Sequence, residues 1–413
     1  MSAIQNKLAQ TKAASAALQT LSTTALKQLI RSFAENLSAS APAILRANKK
    51  DLQKMDPVSP LYDRLLLTPQ RLKAICNSIQ KVANLPDPTG KVLLKKTLPN
   101  GIRLQKITVP LGVIGAIFES RPNVAADIAA LSLKSRNACV LKGSKDAHET
   151  NRALVQVLHR VLQQAGLSQN LVYLLPPERE TVQELFTATR YIDVLIPRGS
   201  NNLIEYVRKN SLVPVIETGA GVCHVYVHAD ADIKMAADIV VNAKTSRPSV
   251  CNAMDTLLVD AAIANKFLPQ VAAALAKHEV KIFADASSYK LLKDYPWLQK
   301  ARKEDFDREF LSLACAIKIV NTIEAALSHI ATHGTRHSEA IVTKNKKAAR
   351  LFLQKVDAAA VYHNASTRFT DGEEFGLGAE VGISTQKLHA RGPFALEKLV
   401  TEKWVLRGNG QIR

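Results

Sequence analysis

Aromatic residues and long apolar runs are scarce in this chain of 413 residues. Aromatic side chains make up 5% of it, too few for the stacking platforms on which nucleic-acid-binding proteins hold bases. No apolar run approaches the ~18 residues that a membrane-spanning helix needs, and the first ten residues lack the apolar stretch of a signal peptide. We therefore expect a cytoplasmic protein that binds neither a membrane nor nucleic acid.

Several short motifs are also missing, and each absence disfavours a class of site. The five cysteines are odd in number and irregular in spacing, which disfavours a disulfide framework or a zinc pattern. His333 and His337 are four residues apart but lack an acidic partner helix, so we expect no metal site there. Neither a G-x-G-x-x-G after the first strand nor a P-loop motif occurs, and no G-x-S-x-G supports a hydrolase.

Positive charge is what the chain has in excess. It carries 55 lysines and arginines against 36 acidic residues, a formal net charge of +19. These cations are scattered along the sequence rather than gathered on one helix or arm, which disfavours a nucleic-acid interface. A basic surface equally suits an enzyme whose substrates are small anions, because it raises their local concentration.

The order of apolar patterns predicts helices first and then two series of alternating strands and helices. Residues 1–80 repeat apolar side chains at helical spacing. Short apolar strands separated by helices follow from Gly101 to a last strand at Val213–Glu217, and a second series runs over residues 222–365. This alternation favours parallel sheets with helices on both faces, which bind ligands at the carboxyl ends of their strands. The tail, Thr401–Leu406, predicts a strand that a lone monomer would leave unpaired and another subunit would cover.

Cys251 is the cysteine placed for chemistry. A thiol becomes a nucleophile when it is reachable and nearby positive charge favours the thiolate. Lys244 and Arg247 precede Cys251, and Pro248 prevents a regular helix from reaching it. The other cysteines lie in patterns typical of small core residues, namely Cys76, Cys139, Cys223 and Cys315. A structural role remains the alternative for Cys251.

Two strand-to-helix corners are built like phosphate-binding turns. Their residues are Lys142, Gly143, Ser144 and Lys145 at the first corner and Arg198, Gly199 and Ser200 at the second. Backbone N–H groups at such a helix start can hold a phosphate, although a plain turn is the alternative at each corner. Polar residues follow two further strands. One is Glu217, for which a capping carboxylate is the alternative. The other is the segment 119–123, for which a simple turn with a satisfied ion pair is the alternative.

Five segments carry a resemblance to a known family. They are 109–124 (VPLGVIGAIFESRPNV), 214–227 (PVIETGAGVCHVYV), 238–253 (DIVVNAKTSRPSVCNA), 364–372 (NASTRFTDG) and 382–393 (GISTQKLHARGP). Together they resemble the aldehyde dehydrogenase superfamily and, within it, the γ-glutamyl phosphate reductases, over nearly the whole chain. The loop at 245–250 departs from the superfamily, where a short glutamine-containing turn precedes the thiol, and this departure fits a different substrate.

The resemblance implies an α/β fold of the aldehyde dehydrogenase type, with two parallel-sheet domains and a small oligomerisation flap of strands. Residues 1–221 would form the NADP(H)-binding domain, with 100–111 contributing to the flap. Residues 222–365 would form the catalytic domain, 366–394 would return to the cofactor domain, and 395–413 would supply the oligomerisation strand. A homodimer or homotetramer is expected.

The resemblance also implies roles for individual residues. Cys251 would be the catalytic thiol, and Glu217, 34 residues before it, falls where relatives carry a general base. Asn123 would donate to an oxyanion. From their charge and position alone, Arg121 and Arg247 are candidates to hold anionic groups of the substrate.

The cofactor residues follow from the same resemblance. Lys142, Gly143 and Ser144 fall on the corner that holds the cofactor ribose, and a cation at Lys145 would pair with the 2′-phosphate of NADPH. The pyrophosphate would lie at the turn of Arg198, Gly199 and Ser200. Glu309 would hold the nicotinamide ribose.

The implied activity is NADPH-dependent reduction of L-glutamyl 5-phosphate to L-glutamate 5-semialdehyde and phosphate, the second step of proline biosynthesis. A separate glutamate 5-kinase would supply the labile substrate, by transient contact. Two alternatives stay open: an oxidising aldehyde dehydrogenase that releases an acid, and a basic nucleic-acid-binding protein that kept the fold.

Overall fold

The structure is a computed structural model that describes residues 2–57, 59–119 and 121–413. Its internal contacts divide the chain into two units. The first consists of residues 1–218, 376–382 and 394–413, and the second of 219–375 and 383–393. None of the helices in the described part of the chain is long and apolar enough to cross a membrane.

Fifteen α-helices are assigned within the described ranges. They are α1 (Ala3–Ala14), α2 (Ala16–Gln19), α3 (Thr23–Ala39), α4 (Ala41–Leu52), α5 (Pro60–Leu65), α6 (Pro69–Asn84), α7 (Pro122–Lys134), α8 (His148–Gln164), α9 (Thr181–Phe186), α10 (Asn201–Asn210), α11 (Ile233–Thr245), α12 (Ala261–Ala276), α13 (Ala286–Leu291), α14 (Ile323–His333) and α15 (Lys346–Lys355). Several of these helices begin at a residue whose side chain caps the first turn. Ser22 and Thr68, for example, accept hydrogen bonds from backbone N–H groups in the first turns of α3 and α6.

The same ranges contain sixteen strands. They are β1 (Val92–Thr97), β2 (Arg103–Pro110), β3 (Val113–Phe118), β4 (Ala138–Lys142), β5 (Val172–Leu174), β6 (Val194–Arg198), β7 (Cys223–Val227), β8 (Met254–Asp260), β9 (Lys281–Ala284), β10 (Leu298–Lys300), β11 (Ala314–Val320), β12 (Ser338–Val342), β13 (Ala360–His363), β14 (Gly382–Ser384), β15 (Gly392–Phe394) and β16 (Val400–Arg407). Short 3₁₀ turns include Lys145–Ala147 before α8 and Thr367–Phe369 after β13.

The first unit contains a parallel sheet in the order β5-β4-β3-β6. All six residues of β3 and all five of β4 are buried, as expected for strands that helices cover on both faces. The strand predicted at Val213–Glu217 is wrong. Only Val215 forms a parallel bridge, to Leu195, because Pro214 beside it has no N–H to donate to a ladder.

A second sheet in the first unit is antiparallel, in the order β1-β2-β16. β16 pairs with β2 over its full length, from Val400 opposite Pro110 to Arg407 opposite Arg103. The expectation that the tail strand is unpaired in a single chain is therefore wrong, because β2 pairs with one edge of it within the same molecule. β1 was not predicted from the sequence; all six of its residues are exposed, so it lacks the alternation that marks a half-buried strand.

The second unit contains a seven-stranded parallel sheet in the order β10-β9-β11-β8-β7-β12-β13. The central strands β7 and β8 are buried along their whole length, and apolar residues of α11 and α12 pack against them. This arrangement confirms the predicted fold class. It also brings the carboxyl end of α11 and the start of β8 together at the turn that carries Cys251.

Two tail segments differ from the predicted domain limits. Residues 366–375 and 383–393, expected to return to the cofactor domain, group with the second unit instead. The reason lies in local hydrogen bonds. The Asn252 side chain donates to the carbonyl oxygens of Arg368 and Thr370, and Arg391 pairs with Asp357 at 2.8 Å.

Candidate active site

Cys251 lies in the turn between α11 and β8 and is half-buried. The other four cysteines, Cys76, Cys139, Cys223 and Cys315, are buried. The distinction drawn from the sequence between one reachable thiol and four core residues is confirmed. Because reaction with a soluble substrate needs access, Cys251 is the cysteine of this chain that is suited to nucleophilic chemistry.

Burial also disfavours the thiolate form of the other cysteines. Desolvation raises the pKa of Cys139 and that of Cys315 to about 12. It raises the pKa of Cys223 well above its usual value, helped by the negative charge of Glu339. The Cys223 thiol donates to the carbonyl oxygen of Cys251 at 3.2 Å, so it contacts the backbone of the reactive turn as a neutral donor.

Glu309 holds the chain segment that packs on the Cys251 turn. Its Oε1 accepts a hydrogen bond from the backbone N–H of Gly221 at 3.0 Å. Gly221 in turn lies so close to the Cys251 carbonyl that an added Cβ would overlap the oxygen. Glu309 therefore contacts a direct neighbour of the Cys251 turn, although it follows Cys251 by 58 residues in the sequence.

Lys244 is buried and paired with an acidic side chain. Its ammonium group is fully buried and lies 3.4 Å from the carboxylate of Asp255. Desolvation raises the pKa of Asp255 to about 6, although Lys244 acts to lower it. Asp255 also accepts from the backbone N–H of Phe310 at 3.0 Å, so this pair braces α11, β8 and the segment of Glu309. That Lys244 favours the Cys251 thiolate stays a prediction, since the contact that the structure shows for its ammonium group is with Asp255.

Arg247 and Arg368 are the cations at the surface of the turn. Arg247 is exposed, and its charge acts on Arg368, whose pKa is lowered by desolvation and by Arg247. Arg368 was missed in the sequence, although it lies inside the quoted segment 364–372. Its Nη1 donates to the Asn252 side chain, next to Cys251.

The corner after β4 is the first of the two predicted phosphate turns. Lys142 is buried and donates to the carbonyl oxygens of Gly143 and Pro177 at 3.0 and 3.1 Å, and desolvation lowers its pKa. A Cβ at Gly143 would overlap the buried Asn151 side chain, which would then have to move. Lys145 is exposed, at the start of the 3₁₀ turn that Ser144 precedes.

The corner after β6 holds an anion of the protein itself. Ser200 caps α10, and its N–H and Oγ donate to the Glu119 carboxylate at 2.8 and 2.9 Å. A Cβ at Gly199 would overlap that carboxylate, and the carbonyl of Arg198 accepts from the Glu119 N–H. The N–H and hydroxyl of Ser200 thus bind an anion at this helix start, here a carboxylate. Glu119 was not singled out from the sequence.

The remaining predicted residues lie at the edges of the first unit. Arg121 precedes α7 and is half-buried, while its neighbour Ser120 lies outside the described residues. Asn123 is exposed and donates to Asp127 at 3.2 Å; desolvation raises the pKa of Asp127 to about 6. Glu217 is half-buried, with its carboxylate 3.9 Å from the Arg208 guanidinium.

The two histidines considered for a metal contact different partners. His333 pairs with Asp307 at 2.7 Å, whereas His337 is buried against the Ser338 hydroxyl. Across the described ranges, no three His, Cys, Asp or Glu side chains converge as metal ligands would.

Comparison with known proteins identifies the family. The aldehyde dehydrogenase family model matches residues 4–288. A γ-glutamyl phosphate reductase of Chlorobium limicola is 51% identical, over 99% of this chain and 99% of its own. The chain belongs to the γ-glutamyl phosphate reductase family. It is therefore an oxidoreductase of the aldehyde dehydrogenase family, which uses a nicotinamide cofactor.

Solved structures agree with this assignment. The crystal structure of a γ-glutamyl phosphate reductase from Thermotoga maritima matches with a TM-score of 0.95 at 39% identity, over 99% of both chains. An engineered glycolyl-CoA reductase with bound NADP⁺ shares the fold, with a TM-score of 0.68 at 14% identity over 97% of this chain and 95% of that one. The predicted family and fold are confirmed.

Proposed function

We propose that the protein reduces L-glutamyl 5-phosphate to L-glutamate 5-semialdehyde and phosphate, with NADPH as the hydride donor and a thioester on Cys251 as the intermediate. This reaction is the second step of proline biosynthesis. The observation that carries the proposal is the half-buried thiol of Cys251, at a turn between a helix and a buried strand, in a chain of this family.

The chemistry requires a nucleophile and a place for negative charge. The Cys251 thiolate attacks the acyl carbonyl, the oxygen becomes an oxyanion, and phosphate leaves as the thioester forms. The N–H of Cys251 and the Asn123 amide are our candidates for oxyanion donors. NADPH, when bound, supplies the hydride that reduces the thioester, after which the thiohemiacetal releases the semialdehyde and restores the thiol.

We assign the substrate's anionic groups to arginines. Arg121 and Arg247 carry the guanidinium groups that suit phosphate and carboxylate, and the exposure of Arg247 beside the reactive turn supports its part. Glu217 is secondary in the reductive direction, because phosphate leaves readily and no water needs activation.

The cofactor residues fit a dinucleotide. Both predicted corners are closely packed, since a Cβ at Gly143 or Gly199 would overlap a neighbouring side chain, and the second corner already binds a carboxylate. We assign the ribose to Lys142, Gly143 and Ser144, and the pyrophosphate to Arg198, Gly199 and Ser200. Lys145 is exposed and would meet the 2′-phosphate that distinguishes NADPH from NADH, and Glu309 would meet the nicotinamide ribose.

The decisive experiment runs the reaction in reverse. Purified protein receives L-glutamate 5-semialdehyde and NADP⁺, with and without inorganic phosphate, and NADPH formation is followed at 340 nm. We expect turnover to depend on phosphate, since acyl transfer from the thioester must reach phosphate rather than water. Equal turnover without phosphate would instead identify an oxidising aldehyde dehydrogenase.

The role of the thiol is tested by a pair of substitutions. Cys251→Ser should abolish reduction while the circular dichroism spectrum stays that of the parent. Cys76→Ser, in the core of α6, is the matched control and should keep turnover. Normal turnover in the Cys251 variant would refute the thioester route.

Assembly and location also remain proposals. The three-stranded sheet exposes apolar side chains at Val92, Leu93, Trp404 and Leu406, which supports a homodimer or homotetramer through this flap. Residence in the cytoplasm and transient contact with a separate glutamate 5-kinase remain predictions, to be examined by fractionation and by crosslinking in extracts.

A further inference from the structure

One side chain contacts both ends of the segment that carries Cys251. The Nε of Arg368 donates to the Ser246 hydroxyl at 3.1 Å, directly after α11. Its Nη1 donates to Oδ1 of Asn252, directly after Cys251. The guanidinium therefore spans residues 246 to 252 and holds the two ends of the reactive turn in a fixed relation.

Asn252 also forms hydrogen bonds with the chain segment around Arg368. Asn252 is 3% exposed, and its Nδ2 donates to the carbonyl oxygens of Arg368 and Thr370 at 3.3 and 2.9 Å. The Thr367 hydroxyl donates to the Asn252 carbonyl at 2.7 Å. Four polar contacts thus link Asn252 to the segment 367–370, and each is formed across more than a hundred residues of sequence.

Arg368 also brings positive charge to the thiol. Its guanidinium interacts electrostatically with the sulfur atoms of Cys251 and Cys223. The other charges that act on it are Arg247, which opposes its protonation, and Asp371, which favours it. Lys244, the alternative cation in the sequence, is buried and paired with Asp255. Among these cations, Arg368 is therefore the one that hydrogen bonds hold next to Asn252.

We propose that Arg368 is a positioning residue for the reaction: through Ser246 and Asn252 it fixes the turn that presents the Cys251 thiol, and its charge favours the thiolate there. The proposal rests on the assignment of Cys251 as the nucleophile. Arg368 contacts Ser246, which precedes Cys251 by five residues, and Asn252, which follows it directly. Its removal therefore alters both the ionisation of the thiol and its orientation.

The ionisation of Cys251 is measured without turnover. Full-length protein is alkylated with iodoacetamide between pH 6 and pH 10, and the modified peptide is identified by mass spectrometry, so that only the Cys251 rate is read. For Arg368→Gln we expect the midpoint of the rate profile to rise by roughly one pH unit, the lower end of what a nearby opposite charge produces. Arg350→Gln, on the exposed face of α15, removes the same charge elsewhere in the unit and should leave the midpoint unchanged.

A second variant separates charge from geometry and does not depend on the first one folding. Arg368→Lys keeps a cation but cannot contact Ser246 and Asn252 together, because it lacks the planar fork of the guanidinium. We expect its midpoint to stay close to the parent's while kcat falls at least roughly tenfold, as displaced reactive groups cause. The proposal would be overturned if Arg368→Lys kept the kcat of the parent. It would also be overturned if folded Arg368→Gln kept the alkylation midpoint of the parent.

Failure of this inference is distinguishable from failure of the proposed function. The alkylation midpoint reports the thiol whether or not the protein reduces glutamyl phosphate. If Cys251→Ser keeps turnover, the thioester route fails irrespective of the midpoints. If Cys251→Ser is inactive and the Arg368 variants match the parent, the nucleophile stands and the positioning role is refuted.

Discussion

Glu119 and Ser200 are joined by two hydrogen bonds at the start of α10, at 2.8 Å from the Ser200 N–H and 2.9 Å from its Oγ. The partial positive charge of a helix N-terminus favours an anion there, and in the proposed cofactor site that anion is the pyrophosphate. On that proposal the carboxylate and the cofactor compete for one turn, and we expect Glu119 to leave Ser200 when the dinucleotide binds.

Substitution of Glu119 tests this competition. Glu119→Gln removes the negative charge and keeps the size of the side chain, so NADPH should bind about two- to fivefold more tightly, the effect of the ~0.3–1 kcal/mol that one charge contributes at a helix N-terminus. Isothermal titration calorimetry measures the Kd. Glu205→Gln, on the exposed face of the same helix, is the control and should bind as the parent does; weaker binding by the Glu119 variant would contradict the competition.

Lys145 should set the choice of cofactor. Lys145→Glu places a negative charge where the 2′-phosphate is assigned, and we expect the ratio of kcat/KM for NADPH to that for NADH to fall at least roughly tenfold, since a charge-assisted hydrogen bond is lost and a repulsion added. Steady-state kinetics with both cofactors measures it. Lys54→Glu, also exposed in the first unit, makes the same charge change away from the corner, and an equal fall there would point to net charge instead.

The buried pair of Lys244 and Asp255 gives a prediction about pH. Lys244→Met leaves the Asp255 carboxylate unpaired, which should cost about 3–5 kcal/mol of unfolding free energy at pH 8. Desolvation already raises the pKa of Asp255 to about 6, and loss of Lys244 raises it further. Because the folded variant then binds a proton that the unfolded chain lacks, its stability falls as pH rises, and the cost should be smaller at pH 5.

Urea unfolding at the two pH values measures that difference. Lys234→Met, on the exposed side of the same helix α11, should cost little and equally at both. A cost of Lys244→Met that is the same at pH 5 and pH 8 would show that Asp255 does not take up the proton.

Gly221 is predicted to be essential for the geometry of the reactive turn. In Gly221→Ala the added Cβ would overlap the Cys251 carbonyl oxygen, so the turn must shift, and we expect kcat/KM to fall roughly a hundredfold, as a displacement of about 1 Å can produce. Gly408→Ala is the control, because its Cβ meets only the flexible end of the Gln411 side chain. Unchanged kinetics in Gly221→Ala would mean that the turn tolerates displacement.

The candidate site was predictable where the signal is local. Cys251 was separated from the four core cysteines by its immediate neighbours, Arg247 and Pro248, and the two phosphate corners by small residues at strand ends. The pairing of Lys244 with Asp255 could not be predicted, because sequence proximity to a thiol does not state which face of a helix a side chain occupies. The partners of Arg368 could not be found, since Asn252 is 116 residues away in the chain.

By itself the sequence determined the alternation of strands and helices, the family, and which cysteine lies apart from the four buried ones, because these depend on periodicity and on neighbours within a few residues. The tertiary structure decided which distant side chains and backbone groups contact one another. It placed Glu119 on Ser200, Glu309 on Gly221 and Arg368 on Asn252, and it paired β16 with β2. The physical reason is that each of these contacts joins distant segments, whose approach is set by packing around the sheets rather than by local conformational preference.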